Sequence, residues 1–218
     1  MTTQDALIDA ILPHVPFDGW SDEAFRAAAR EAGMTVAEAR ALAPRGATSL
    51  AAALHRRGDA ALPEAVAALP EGLRYSEKVA RAVEARLRLA GDVEVLRRAT
   101  AHFALPQNAA LGSRLVWDTA DTIWRALGDT STDGNWYSKR AILSAVYSAA
   151  LLYWLGDQSP GQERSRAFIE RRIADVMRFE ETKGRLKKNP LFTPAFRLFE
   201  SIKAPTSRDL PGRWDLPS

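Results

Sequence analysis

The chain has 218 residues, 46% of them apolar, which is enough to bury a sizeable core without staples. Cysteine is absent, which excludes disulfides, thiolate nucleophiles and thiolate metal sites and fits a reducing compartment. A net charge of +3 permits an anionic partner without separating nucleic acid from a lipid surface.

The chain is rich in Ala, Leu, Arg and Glu and lacks β-branched runs long enough for strands, so helices are expected almost throughout. Asp5 and Asp9 stand where a targeting segment would be basic, and the N-terminal apolar stretch is too short to span a bilayer. The chain therefore reads as soluble or peripherally attached, with no signal or transit peptide. Leu7, Ile8, Ile11, Leu12 and Val15 form the stripe of a first helix, which stops around Pro13 to Pro16. Ser21 caps a second helix through about Glu31. Gly33 breaks it, and Thr35 with Glu38 opens a third as a capping box, ending before Pro44. A helix from Thr48 to Arg57 and a separate short one from Pro63 to Leu69 follow.

Longer elements are expected from Tyr75 to Ala90, from Asp92 to Phe103 and from Asn108 to Leu127. Trp136 to Leu155 and Ser159 to Glu181 form a pair of long helices, and Lys187 to Ile202 contains a final short one. The three-proline tail from Ala204 to Ser218 is irregular. The boundaries divide the chain into an N-terminal helix-turn-helix-like subdomain (1–58), a helical bundle (59–182) and a C-terminal segment with its tail (183–218).

Residues 21 to 43 have the layout of a helix-turn-helix, but the second helix, TVAEARAL, offers Arg40 alone, opposed by Glu38. Base reading needs polar side chains that reach base edges, and Arg26, Arg30 and Arg45 supply at most phosphate contacts. A structural cap is the better reading; a DNA-binding transcriptional regulator is the alternative. His14, His55 and His102 fall in separate segments outside any helical metal-ligand motif. Asp118 and Asp121 each have an arginine four residues away, Arg114 and Arg125, as ordinary ion-pair partners. Asp129, Ser131 and Asp133 resemble the start of a calcium loop, yet its twelfth position is Arg140 instead of a bidentate Glu. That segment is a tight interhelical turn.

Two aromatic residues, Trp136 and Tyr137, follow the turn and point different ways at a helix start, so at least one is a candidate anchor for a protein contact. Trp117, Ala120, Trp124, Leu143, Val146, Tyr147 and Ala150 line the bundle interior, either filling a core or facing a cavity suited to an isoprenoid tail. Periodicity does not separate these. In the last helix Phe192, Ala195, Phe196, Phe199 and Ile202 share one face, and residues 183–203 hold six cations, Lys187 and Lys188 among them, against one anion. Such a helix suits an anionic interface, or docks on its own bundle or across a dimer.

Three motifs carry a family resemblance: VPFDGWSDEA at Val15 to Ala24, LRRATAHFALP at Leu96 to Pro106, and VWDTADTIWRALGDTSTDGNWYSKRAIL at Val116 to Leu143. With them the chain resembles, up to about Ile173, the ubiquinone-biosynthesis accessory family, whose mitochondrial members are lipid-binding partners of the di-iron demethoxyubiquinone hydroxylase. The resemblance implies an all-α fold like that of TetR-type regulators, commonly dimeric, with a vestigial helix-turn-helix and no specific nucleic acid as partner. It also implies a pocket for isoprenoid or quinone lipids, no inorganic cofactor and no catalysis. Asp129, Asp133, Asn135, Trp136 and Tyr137 then meet the hydroxylase, while Phe192, Phe196, Phe199, Ile202, Lys187 and Lys188 attach the protein to an anionic membrane surface. The expected setting is the bacterial cytoplasm, at the inner face of the plasma membrane.

Overall fold

A computed structural model describes residues 3–132 and 134–187, which form ten α-helices joined by short turns, with no strand among the described residues. The first four helices are short: α1 (Thr3–Ile11), α2 (Val15–Asp18), α3 (Asp22–Glu31) and α4 (Val36–Leu42). Ser21 Oγ accepts from the Ala24 amide at 3.1 Å to start α3. Thr35 and Glu38 complete a reciprocal capping box on α4. Val15, expected on the stripe of the first helix, instead starts α2 after a break at His14, with Pro16 in the first turn where a missing amide costs nothing. It is buried in the same cluster as Leu7, Ile8 and Ile11.

The expected break between Arg57 and Pro63 is absent: α5 runs unbroken as Ala47–Ala67. Proline inside a helix removes one hydrogen bond and costs about 3 kcal/mol. Packing overrides it here, because Leu62 just before the proline is fully buried in the bundle and Val66 packs on the same cluster. Leu50 and Ala51, at the other end of α5, belong to the N-terminal core. One helix therefore serves both cores.

The bundle adds α6 (Tyr75–Arg88), α7 (Val93–Ala104), α8 (Pro106–Ala126), α9 (Gly134–Gly156) and α10 (Glu163–Lys187), the last entered through a 3-10 turn at Pro160–Gln162. Asp92 caps α7 by accepting from the Glu94 and Val95 amides. Pro106 occupies the first turn of α8, so that helix begins earlier than the expected Asn108. Asp157 accepts from the amides and hydroxyls of Ser159 and Ser165, which shapes the entry to α10 and moves its start past Ser159. α10 also continues beyond the expected Glu181. Two adjacent arginines pin α7 in place: Arg98 donates to the Pro16 carbonyl at 2.9 Å and Arg97 to the Leu155 carbonyl at 2.8 Å.

Arg86 of α6 is 1% exposed. Its Nε donates to Asp59 Oδ1 at 2.7 Å and its Nη2 to the His55 carbonyl at 2.8 Å, joining α6 to α5. Thr119 Oγ1 of α8 donates to the same Asp59 oxygen at 2.8 Å. Gly58 gives the guanidinium room, since a Cβ there would stand 2.9 Å from Arg86 Nη1. Removing one member of a buried pair strands the other charge. Asp59→Ala is expected to lower the unfolding free energy by about 3–5 kcal/mol, and Asp59→Leu combined with Arg86→Met to recover most of the loss. Urea denaturation of the three proteins measures both effects.

Candidate functional site

Helices α5 to α9 line an open cavity of about 540 Å³, within the range of roughly 300–1,000 Å³ usual for small-molecule sites. Leu54, Leu96, Phe103, Val116 and Leu151 supply bulky apolar wall. The space survives because the facing positions are small: Ala99 on α7, Ala109, Gly112 and Ser113 on α8, and Ala145 and Ser148 on α9. Close-packed helices leave such a void only where side chains are too short to fill it. At the α7–α8 crossing Gly112 is required, since a Cβ there would come within 2.8 Å of Phe103 Cβ.

The deep end is polar. Arg86, His55, Ser144 and Tyr147 all line the cavity. His55 Nε2 lies 2.8 Å from Thr119 Oγ1 and 3.7 Å from Asp59 Oδ2. Burial, reinforced by the Arg86 charge, pushes the His55 imidazole down to about 4, so it is neutral near pH 7. Burial likewise raises the Tyr147 phenol above its ordinary value. Ser144 Oγ is buried without a hydrogen-bond partner among the described residues.

Of the residues expected to face a lipid, only Tyr147 lines this cavity. Ala120, Trp124, Leu143, Val146 and Ala150 fill the bundle core, and Trp117 is half-buried against Trp136, with ring centroids 6.0 Å apart. The cause is the helical repeat, which puts residues 143, 146, 150 and 154 of α9 on its core face and 144, 148 and 151 on the neighbouring face. Arg86, Ser144 and the small-residue faces were not singled out from sequence, and His55 was weighed only as a metal ligand. Arg86 did leave a signal, as a charge on the apolar spacing of Val79 and Val83, one helical period further on.

A second feature forms where α8 meets α9. Asp129, 3% exposed at its side chain, accepts from Lys139 Nζ at 2.7 Å, from Ser131 Oγ at 2.8 Å and from Arg140 Nη1 at 3.2 Å. Burial raises its pKa, but these hydrogen bonds outweigh it and hold the carboxyl below the usual range. Arg140, itself 2% exposed, also donates to Asp121 Oδ1 at 2.6 Å and lies 4.1 Å under the Trp136 ring. The residue that removes the calcium-loop closure is thus the counter-charge for two aspartates. Tyr137 sits edge-on to Trp136 at 4.8 Å, and both rings are half-buried. Asn135 is in the first turn of α9. Asp133, Lys188, Phe192, Phe196, Phe199 and Ile202 lie outside the described residues, and Lys187 ends α10.

In the helix-turn-helix-like region Arg40 donates to Asp22 at 2.6 Å and stacks over Phe25, Arg26 pairs with Asp22, and Arg45 donates to Asn108. Among the described residues there is no group of three or more His, Asp or Glu side chains able to hold a metal. Nor is any described helix long and apolar enough to cross a membrane.

The COQ9 family model matches residues 109–180. The mitochondrial ubiquinone biosynthesis protein COQ9 of Rattus norvegicus is 31% identical over 192 residues, covering 84% of this chain and 62% of that protein. The Homo sapiens protein of the same name is also 31% identical, over 84% of this chain and 60% of its own length, and the Drosophila melanogaster one is 27% identical over 80% and 55%. The chain thus spans about three fifths of the length of the curated relatives it matches. Among solved structures, a TetR transcriptional regulator from Nitrosomonas europaea superposes with a TM-score of 0.63 at 19% identity, covering 78% of this chain and 95% of that one, which is a likeness of fold.

His55 makes stability depend on pH. Its folded pKa lies below the unfolded value, so the unfolded state binds the extra proton, and stability is complete above about 6.5 and falls towards about 4. The unfolding free energy from urea titrations is expected to drop across that window, by about 3 kcal/mol at most, with a shallower slope in His55→Asn. Below it Glu84 and Asp129, both depressed in the fold, add their own loss as they protonate.

Proposed function

We propose, from the premise that this chain belongs to the COQ9 family, that it is a non-catalytic accessory protein of ubiquinone biosynthesis which shelters an isoprenoid quinone intermediate. The observation that carries this reading is the cavity of about 540 Å³ between α5 and α9, walled by apolar side chains and kept open by small ones. Burying a prenyl tail there recovers roughly 0.8 kcal/mol per methylene relative to water. The partner is a di-iron hydroxylase, met through the Trp136 and Tyr137 surface. The aromatic face and basic flank of residues 187–202 support attachment to an anionic membrane, and with it a place at the inner face of a bacterial plasma membrane. Arg40 and Arg26 are already paired with Asp22, and Arg45 is bonded to Asn108, which weighs against DNA reading. A homodimer is part of the same proposal.

Mass spectrometry of lipids extracted from gently purified protein is expected to find a prenylated quinone species. Ala99→Phe with Ser148→Phe, which fills the cavity, should lose it at least tenfold; protein that carries no lipid would defeat the carrier reading. For the partner surface, Tyr137→Ala is expected to weaken capture of the hydroxylase with stability unchanged. Trp136→Ala should weaken capture and also lower stability by about 1 kcal/mol, because that ring covers Arg140. Pull-down alongside thermal denaturation separates the two.

A further inference from the structure

The cavity has an inverted polarity. At its deep end lie Arg86 and Tyr147, each 1% exposed, while Leu152, which also lines it, is open to solvent at 64%. A pocket for a tail alone has no use for buried donors, whose desolvation is costly unless they are paired. Here one is unpaired: Ser144 Oγ, buried and without a partner among the described residues, a situation that costs about 1–3 kcal/mol until an acceptor or donor arrives. Ser144 stands one helical turn before Tyr147 and Ser148, on the face of α9 that meets the cavity.

We propose that the cavity takes its ligand head-first, with Ser144, Tyr147, Arg86 and His55 forming a floor that hydrogen-bonds the oxygen substituents of an uncharged ring while the tail runs out past Leu152. This rests on the lipid-carrier reading and adds the ligand's orientation and the class of its headgroup. Charge balance decides that class. Arg86 is neutralised by Asp59 at 2.7 Å, and His55 is held neutral by burial, so the floor has no spare cation for a phosphate or carboxylate. A neutral ring with carbonyl, hydroxyl or methoxy oxygens fits instead. Tail burial gives little preference over a bilayer, whose chains are as apolar as the wall. The floor is what lets the cavity select among lipids with similar tails.

The test uses full-length wild type, Ser144→Ala, Tyr147→Phe and the double variant, each checked for a cooperative thermal transition, with Ser144→Ala expected to be at least as stable as wild type when empty. Each is titrated with a diprenyl-tailed ubiquinone, the diprenyl hydrocarbon without its ring, and diprenyl diphosphate. The expected result is a three- to tenfold loss of quinone affinity in each single variant and a larger loss in the double, with hydrocarbon binding unchanged. Diprenyl diphosphate should bind wild type more weakly than the quinone. Equal effects on quinone and hydrocarbon, no effect on the quinone, or tighter binding of the diphosphate would overturn the head-first assignment while leaving the carrier reading in place. Failure of wild type to bind either the quinone or the hydrocarbon would overturn both.

Discussion

A guanidinium held out of water must have a counter-charge and acceptors fixed in place, and Arg86 imposes that requirement at the centre of this bundle. Asp59 of α5 supplies the charge, the His55 carbonyl a second acceptor, Thr119 of α8 steadies Asp59, and Tyr147 of α9 lies close enough for its charge state to bear on Arg86. Hydrogen bonds thereby fix three helices relative to one another at one point, with α9 beside them. Gly58 follows from the same demand, because a Cβ there would crowd the guanidinium, while the passage of α5 through Pro63 is held by the packing of Leu62 and Val66 on either side of it.

Around that fixed point the cavity is made by omission. Bulky residues close it where helices need contact, and alanine, glycine and serine leave it open elsewhere. A fully packed core would be more stable, since empty apolar space forfeits dispersion contacts. The neighbouring face of α9 packs Leu143, Val146, Ala150 and Trp154 into a filled core. Solidity and hollowness are two faces of one helix.

That helix also links the cavity to the surface. Trp136 and Tyr137 precede Ser144 by about two turns, a rise of roughly 10–12 Å along α9. Arg140 lies between them, bonded to Asp121 and Asp129, so the aromatic pair is seated on an ionic knot that joins α8 to α9. A partner docking on the aromatic pair would touch the element that carries one side of the cavity floor.

The helical class, most helix limits and the capping box at Thr35 and Glu38 were legible in the residues. Each is governed by local spacing and by chemistry within a few residues of itself. Pro63 misled, because a local penalty of a few kcal/mol was outweighed by contacts from other helices. The residues lining the cavity were only partly legible: Tyr147 lies on it, whereas Trp124, Leu143, Val146 and Ala150 are core, since a 3.6-residue period marks a face as apolar without saying whether its neighbour fills or leaves the space before it. Arg86, His55 and Ser144 became a group only in three dimensions. Their distances depend on how α5, α6 and α9 cross, and that crossing is decided by tertiary packing, which no single helix encodes.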